Sequence, residues 1–389
     1  MARQQTKSQK SVTLRDIAAR CGVDVSTVSR ALRGSSLHNE KTVHLIQATA
    51  HEMGYDPTRY QNARQLALSR FGKESVNRLF AVFIPPYFYY YDYSAMLFQG
   101  VLDVLTPAGI GLLTIETSEE VMKGKIPPSF SRGDVDGAII VEHQEQFQPV
   151  LDQLRNTPAF TDHPLVYILR DVPGCSSITI NAEAAAYEVA AHVLSLGHRH
   201  LLYFIRKDRK PFCSHQDFFL AGYQRACRDY GLDPAVHLHP FPLDETFTEH
   251  LFNLRYYRQQ RTFFPRQWPP YHPLTRELQA HPEITAILAL NDRLAAIIYN
   301  ILQCGGIRVP DDVSLIGFDD TDPLFDDCGQ NILTTVHVPL REMGNSAAKL
   351  LISMVNEEAT DAQRVVMPTT LMVRGSTMPP RETNSHPSA

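Results

Sequence analysis

The chain has 389 residues, 37 Lys and Arg against 42 Asp and Glu, a formal net charge of -5 and 43% hydrophobic residues. This length exceeds one typical hydrophobic core, so we expect a small unit attached to a larger body. No stretch approaches the roughly 18 consecutive apolar residues of a membrane span, and the polar, basic N-terminus lacks the apolar segment of a signal peptide. We therefore expect a cytoplasmic protein that does not bind membranes.

Basic residues concentrate at the start of the chain. Residues 1–73 contain 12 Lys and Arg against 5 Asp and Glu, a net of +7, which leaves 25 against 37, a net of -12, in the remainder. This segregation is typical of a phosphate-binding module attached to an acidic body, although a basic patch can also be a solvated surface or a targeting tail. Residues 1–10 are predicted to be a disordered arm that adds sequence-independent attraction.

Residues 13–33 predict two short helices joined by a turn. Apolar residues at helical spacing end at Gly22, which suits a tight turn, and Asp24 can cap the helix that follows. A second apolar stripe then begins, while the polar residues of that helix lie mainly off it. The stripes consist of Leu14, Ile17 and Ala18 in the first helix and Val25, Val28, Ala31 and Leu32 in the second.

This pattern predicts a helix-turn-helix whose second helix fits a major groove. Arg30 can donate two hydrogen bonds to a guanine edge, and Val25 can pack against a thymine methyl. The alternative is an ordinary helical hairpin with a solvated polar face, against which the segregated basic charge argues. The candidate DNA contacts in this segment are Thr13, Val25, Ser26, Thr27, Ser29, Arg30 and Arg33.

A third helix over residues 40–53 completes a predicted all-α DNA-binding unit that spans residues 11–57. Residues 58–77 are predicted to be a hinge or linker, because their short apolar stripe forms only a marginal helix in isolation. This connector either becomes ordered on DNA, with Leu66 as a wedge and Arg64 in the minor groove or on phosphate, or remains flexible. Its candidate contacts are Ala63, Arg64 and Leu66.

From Leu79 onward, short apolar runs alternate with amphipathic stretches, which indicates parallel sheets with crossover helices. The body is therefore predicted to be α/β. Residues 241–281 are the exception: rich in proline and aromatic residues, they are predicted to form a long surface excursion with a helix near residues 274–280. The predicted strands cover residues 79–85, 111–116, 137–142, 165–170, 201–206, 285–290 and 313–318.

Short motifs recur along nearly the whole chain. They are VTLRDIA at 12–18, VSR at 28–30, LGHR at 196–199, AGY at 221–223, ND at 291–292, RVPDDVS at 308–314, GFDD at 317–320, LTTV at 333–336 and RGST at 374–377. On these motifs the chain resembles the lactose-repressor/galactose-repressor (LacI/GalR) family of bacterial transcription regulators. The resemblance implies two Rossmann-like lobes, as in periplasmic binding proteins, with an effector between them and a homodimer bound to a pseudo-palindromic operator.

The resemblance also implies a partition of the effector-binding and dimerisation body, residues 78–378. The first lobe would comprise about 78–172 and 319–356, the second about 173–318 and 357–378, and residues 379–389 would be a tail. Parallel sheets bind ligands at the carboxyl ends of their strands, so the effector is expected in the cleft between the lobes. Its binding would change lobe closure and the spacing of the two DNA-binding units.

Several positions depart from the family pattern. Arg170 follows Leu169 where the family usually has Asp-Arg, and Phe219 stands where many sugar-binding members place an arginine. Two polar contacts to a hydroxylated ligand are therefore missing. Pro57 also lies further from the Ala-Arg pair of the connector than in the family, so either the connector is longer or Leu66 is not the wedge.

The candidate effector contacts are led by a loop after the first strand that carries five tyrosines within residues 87–93. These rings either stack on and bond a ligand or form a surface cluster. Asn291 and Asp292 either accept hydrogen bonds from a sugar or cap a helix. The effector is expected to be a sugar, a sugar derivative or an aromatic glycoside, and the alternative is that no effector binds. The full set of candidates is Tyr87, Tyr91, Tyr93, Arg170, His215, Phe219, Asn291, Asp292 and Asp319.

An enzyme is the rival class, but the chain contains no GxSxG, HExxH, GxxxxGK[ST] or complete GxGxxG motif. Its six cysteines form no CxxC pair, and His192, His198 and His200 sit at a helix-to-strand transition, so no metal site is expected. A periplasmic binding protein would share the body but carry no DNA-binding unit. We therefore expect a transcription regulator without catalysis, metal or cofactor, and the family resemblance implies a repressor. Its expected partners are double-stranded operator DNA, a small molecule and a second copy.

Overall fold

The structure is a computed structural model in which two compact units divide the chain, Met1–Val76 and Asn77–Ala389. The residues that it describes are 12–32, 40–53, 55, 77–84, 92–118, 121, 134–141, 164–172, 174–206, 215–243, 272–326, 328–356, 358–359 and 361–381. Within these ranges, no helix has both the length and the apolar character needed to cross a membrane.

Three helices lie in the described part of the first unit. They are α1 (Leu14–Cys21), α2 (Val25–Leu32) and α3 (Glu40–Glu52). Helix α1 begins with a capping box, in which the hydroxyl and the backbone N–H of Thr13 both donate to Asp16 Oδ2 at 2.7 Å. It ends at Gly22, whose φ of 67° lies in the left-handed region that glycine adopts without strain. The backbone N–H of Ser26 donates to Asp24 Oδ1 at 2.8 Å, as expected for a cap of α2.

The three helices share one apolar core, which confirms the predicted stripes of the helix-turn-helix. Its fully buried members come from each helix in turn, so neither α1 nor α2 can bury its apolar face without the others. They are Ile17, Ala18, Val28, Ala31, Ile46 and Ala50.

The first lobe of the second unit is built on a six-stranded parallel sheet. Its strands are β1 (Leu79–Ile84), β2 (Gly111–Glu116), β3 (Gly137–Val141), β4 (Leu165–Ile168), β5 (Ser176–Ile180) and β11 (Arg364–Met367). The strand order is β11-β5-β4-β3-β1-β2. The helices α4 (Asp92–Leu105) and α10 (Leu340–Val355) pack against each other, and α10 also contacts β3, β4 and β5.

Helices α4 and α10 approach closely at Gly344 of α10. A Cβ atom at this position would overlap the backbone carbonyl of Leu97 in α4. We expect Gly344→Ala to destabilise the protein by about 1–3 kcal/mol, because the two helix backbones must separate. Thermal unfolding measures the change, and Ser346→Ala on the same helix is the control. An unchanged midpoint in Gly344→Ala would contradict this helix contact.

The second lobe has a four-stranded parallel sheet in the order β7-β6-β8-β9. Its strands are β6 (His200–Arg206), β7 (Leu238–Leu243), β8 (Ile284–Leu288) and β9 (Ser314–Ile316). Its helices are α5 (Ala182–Ser195), α6 (His215–Asp229), α7 (Pro234–His237), α8 (Pro273–Ala280) and α9 (Asp292–Cys304). All strand pairs in both sheets are parallel, which confirms the predicted α/β body.

Two short strands, β10 (Thr335–His337) and β12 (Thr370–Met372), form an antiparallel ribbon where the chain passes between the lobes. Strand β10 leads from the second sheet to α10 of the first lobe, and β12 returns the chain from β11. The segment at β10 also extends the second sheet, because the backbone N–H of Gly317 donates to the Thr334 carbonyl at 2.9 Å. With the link from β5 to α5, three segments connect the lobes in the described part of the chain.

The predicted lobe boundaries are wrong after β9 and at two strands. Residues 319–333 were expected in the first lobe, but Leu324 and Leu333 pack with Leu315 in the core of the second. Residues 176–180 and 364–367 were expected in the second lobe, but β5 pairs with β4 and β11 pairs with β5 in the first sheet. Most of β5 is buried, so it needs neighbours on both sides, and the apolar pattern of a single strand does not reveal which sheet supplies them.

The predicted surface excursion begins too early, since residues 241–243 belong to β7. The sequence did not indicate this strand, because it contains two prolines, Pro240 and Pro242. They are tolerated because β7 lies at the edge of its sheet, where the outer side of the strand has no neighbouring strand and needs no N–H donor. The helix predicted near residues 274–280 is confirmed as α8, and residues 244–271 lie outside the described residues.

Candidate functional site

Helix α2 presents the predicted DNA contacts beside its buried stripe. Val28 and Ala31 are buried, Ser26 is exposed, and Val25, Thr27 and Ser29 are half-buried. One face of α2 is thus held by α1 and α3 while polar side chains remain accessible on another, the arrangement that a groove-reading helix needs.

The other predicted DNA contacts fall into two groups. Thr13 caps α1, so its hydroxyl is already engaged with Asp16. The backbone of Arg30 belongs to α2, but its side chain lies outside what the structure describes. Arg33, Ala63, Arg64 and Leu66 also lie outside the described residues, so their role in DNA binding stays a prediction.

The tyrosine loop is described only at its end. Tyr93, in α4, is half-buried and packs against the core of the first lobe. Tyr87, Tyr91 and the side chain of His215 lie outside the described residues. Arg170 is half-buried directly after the buried Leu169, whose φ of 71° bends the chain away from β4.

Asn291 and Asp292 start helix α9 directly beyond strand β8. The side-chain oxygen of Asn291 accepts a hydrogen bond from the backbone N–H of Leu294 at 2.8 Å, so the helix-capping alternative describes this residue. Asp292 is only 1% exposed. Its Oδ1 accepts from the hydroxyl of Thr335 at 2.5 Å and its Oδ2 from the backbone N–H of Thr321 at 2.8 Å.

Burial raises the pKa of Asp292 to about 7, and the negative charge of Asp320 adds to the effect. The hydrogen bonds from Thr335 and Thr321 act in the opposite direction, because they stabilise the carboxylate. Asp292 therefore exchanges its proton near neutral pH while tying α9 to β10.

Asp319 and Asp320 follow β9 in strained conformations, with φ values of 101° and 59°. Burial raises the pKa of Asp319 well above its usual range, and the nearby charge of Asp292 adds to this. Asp320 accepts a hydrogen bond from Arg374 Nη2 at 2.8 Å and lies 3.2 Å from His337 Nδ1. Two carboxylates of the second lobe, those of Asp292 and Asp320, thus hold two of the three segments that connect the lobes.

Sequence reasoning missed the partners in this network. Thr335, His337 and Arg374 are far from Asp292 and Asp320 along the chain, and no local pattern links them. The only signal was their place in or next to the LTTV and RGST motifs on which the family resemblance rests.

Phe219 occupies the apolar side of the same region. Its side chain is buried, its ring centroid lies 4.6 Å from that of Phe318 and 6.4 Å from that of Tyr223. Helix α6 is therefore fastened by ring contacts to the segment that precedes Asp319. An arginine at position 219 would have to bury its charge among these rings, which explains why an apolar residue suits this position.

The three histidines near residue 198 do not converge on one site. His192 is hydrogen-bonded to the hydroxyl of Thr377 at 3.0 Å, and His198 to that of Thr285 at 2.8 Å. His200 turns instead toward a neighbouring strand. Among the described residues, no group of three His, Cys, Asp or Glu side chains is placed to hold a metal ion.

Comparison with known proteins finds two domain families in the chain. Residues 13–58 match the family described as bacterial regulatory proteins, lacI family, and residues 190–377 match the periplasmic binding protein-like domain. The HTH-type transcriptional regulator DegA of Bacillus subtilis is 27% identical over 375 residues, which cover 94% of this chain and 98% of the relative. The HTH-type transcriptional repressor CytR of Escherichia coli is 24% identical over 380 residues, 95% of this chain and 98% of the relative.

Solved structures show the same fold. The transcriptional regulator CelR in complex with cellobiose has a TM-score of 0.60 at 22% identity and covers 94% of this chain and 99% of its own. The Lac repressor dimer bound to operator and the anti-inducer ONPF has a TM-score of 0.67 at 20% identity, with 95% of this chain and 100% of its own covered. The chain therefore carries a DNA-binding domain of the lacI family and a periplasmic binding protein-like domain, and it is similar to transcriptional regulators over almost its full length.

Proposed function

We propose that the protein is a sequence-specific repressor that binds operator DNA as a cytoplasmic homodimer and responds to a small-molecule effector between its lobes. The observation that carries this proposal is the set of hydrogen bonds that Asp292 and Asp320 make at the connection between the lobes. Asp292 and Asp320 of the second lobe bond residues on two connecting segments, so these bonds lie where a change in lobe closure would act.

Helix α2 supplies the DNA specificity in this proposal. Its buried stripe fixes the helix against α1 and α3, and its polar residues read base edges and phosphates from the major groove. Arg30 and Val25 carry base recognition, and Ser26, Thr27 and Ser29 contribute hydroxyl contacts. The basic connector that carries Arg64 and Leu66 adds contacts that do not depend on sequence to the same degree.

A sugar or sugar derivative is the proposed effector. Relatives of this fold have been solved with cellobiose and with ribose. We assign direct ligand contacts to Tyr87, Tyr91, Tyr93, Arg170, His215 and Asp319, whereas Phe219 shapes the apolar wall. Asn291 and Asp292 act behind them, because one caps α9 and the other is buried in the connection between the lobes.

The test combines DNA selection with ligand screening on the full-length protein. We expect a random-oligonucleotide selection to enrich one pseudo-palindromic sequence, because each subunit of a homodimer reads one half-site. A cleft ligand present at a hundredfold its Kd should stabilise the protein by about 2.7 kcal/mol, which thermal unfolding detects in a panel of mono- and oligosaccharides. No enriched sequence with or without stabilising sugars would overturn the proposed function.

A further inference from the structure

Four histidines from separate elements meet at the amino-terminal edge of the second sheet. His200 begins β6, His237 ends α7, His239 lies in β7 and His281 precedes β8. The ring centroid of His200 lies 4.7 Å from that of His237 and 5.2 Å from that of His239, and the rings of His239 and His281 are 6.1 Å apart. We call this group the histidine cluster. It lies at the opposite edge of the sheet from the residues that follow β8 and β9, and so outside the proposed effector site.

One hydrogen bond within the cluster requires an uncharged ring. His200 Nδ1 and His239 Nε2 are 3.0 Å apart, and of two bonded imidazole nitrogens one must donate while the other accepts. A charged histidine can only donate, so the bond is lost when both rings are charged. His237 Nδ1 lies 2.9 Å from the carbonyl of Arg199, and because a carbonyl only accepts, this ring nitrogen carries the proton.

The surroundings of the pair disfavour added protons. Burial lowers the pKa of His200 and of His239, and the neighbouring rings add to the effect: His237 on His200, and both His200 and His281 on His239. The carboxylate of Glu283 acts in the opposite direction on both rings.

The acidic groups that face the cluster are engaged with His281 rather than with the central pair. His281 Nδ1 lies 3.1 Å from Glu283 Oε1, and its Nε2 lies 3.9 Å from Glu277 Oε1. Glu277 also opposes the lowered pKa of His239. No direct carboxylate bond to His200 or His239 is made in the described part of the chain, so protonation of both rings has no ion-pair partner at the pair itself.

We propose that the histidine cluster is a proton-sensitive latch, in which acidification charges both rings of the His200–His239 pair, breaks their hydrogen bond and loosens the start of β6 and β7. A metal ion is not the favoured occupant, because the described side chains include no trio placed to hold one. The latch acts on the stability of the second lobe and does not require the effector site.

The direction of the pH effect follows from the lowered pKa of the two rings. As pH falls, the unfolded chain takes up protons first, near the ordinary histidine pKa of 6.5, whereas the folded chain resists them. The stabilisation is therefore complete above this value and is lost as pH falls below it. The loss should be greatest locally, where the edge strand β7 can separate from β6 without unfolding the rest of the lobe.

Hydrogen exchange on the full-length protein tests the latch. We expect amide protection in β6 and β7, corrected for the intrinsic pH dependence of exchange, to fall on the order of tenfold between pH 7.5 and pH 5.5, relative to β3 and β4. His239→Gln should reduce this fall at least threefold, because the amide can still accept from His200 but does not titrate. His51→Gln, a change of an exposed histidine on α3, should behave as the wild type.

A second variant covers the case in which His239→Gln does not fold. His237→Gln keeps a donor for the Arg199 carbonyl but removes a ring that lowers the pKa of His200, so the acid-induced loss of protection should also become smaller. Equal pH dependence in the wild type and the folded variants would overturn the proposal. Stabilisation of the wild type but not of His237→Gln or His239→Gln by Zn²⁺ would also overturn it, because the cluster would then be a metal site.

Discussion

Arg30→Ala should weaken operator binding by about 1–3 kcal/mol, or roughly 5- to 150-fold in Kd, which is the largest effect that we expect from a single change in the DNA-binding unit. The position lies between Val28 and Ala31, which anchor α2 in the core of the unit. Alanine favours helix formation, so α2 should keep its place and only the base contact should be lost. Competition binding with the selected operator and with scrambled DNA measures both the affinity and the specificity ratio.

The control for Arg30→Ala is Arg20→Ala, which removes the same charge from an exposed position on α1. Loss of a charge alone should weaken binding to operator and to scrambled DNA by similar factors and leave their ratio unchanged. Loss of a base contact should instead lower the ratio and relax the preference at one base pair. If both variants kept the wild-type ratio, α2 would not be the reading helix, or Arg30 would not be its reading residue.

The helix-turn-helix could be predicted from the sequence because its signals are local. The cap at Thr13, the turn at Gly22 and the cap at Asp24 lie within twelve residues, and each depends only on neighbours one turn away. The apolar stripes of the three helices are then buried together in one core. In most of the α/β body, the type and approximate bounds of the helices and strands could be predicted for the same reason.

The assignment of strands to lobes and the hydrogen bonds at the connection between the lobes depend on contacts that no local pattern encodes. Strand β11 joins the first sheet beside β5, although 183 residues separate the two strands in the chain. The family resemblance marks Asp292 as a ligand contact or a helix cap after a strand predicted to end at residue 290, and β8 ends close by at Leu288. The burial of Asp292, however, depends on Thr335 and on the turn at Thr321, which the sequence alone did not connect with it.

The carboxyl of Asp292 should make the stability of the protein fall as pH rises toward and through neutrality. Its folded pKa of about 7 lies above the ordinary value of 3.8, so the folded chain holds a proton that the unfolded chain has released. The favourable contribution is complete below the unfolded value and is lost as pH rises through the folded one. Relative to Asp292→Asn, the wild type should lose up to about 1.4 kcal/mol per pH unit between pH 5 and 7 and change little above pH 8.

Asp292→Asn is the informative change because asparagine resembles the protonated acid. Its oxygen can accept from the backbone N–H of Thr321, and its amide can donate to the hydroxyl of Thr335, which accepts as well as donates. The bonds to the connecting segment survive without a titrating group. Asp361→Asn, at an exposed position, should leave the pH dependence of the wild type unchanged. Urea unfolding between pH 5 and 8 gives the free energies, and parallel curves for the wild type and Asp292→Asn would contradict a titration of Asp292 in this range.

Asp292→Asn also distinguishes two roles of Asp292, a direct contact to the ligand and a contact that only holds the connection between the lobes. If Asp292 only ties α9 to β10, Asp292→Asn should retain the operator affinity of the free protein and the affinity for a stabilising sugar, but alter how far the sugar changes operator affinity. This coupling is a free energy between two sites, typically about 1–3 kcal/mol, and it can change while both separate affinities persist. Asp292 of the wild type carries a proton that the asparagine of the variant cannot exchange. The difference in coupling between the two proteins should therefore grow from pH 6 to pH 8. A variant that binds the sugar more weakly by the same factor at every pH would instead make Asp292 a direct ligand contact.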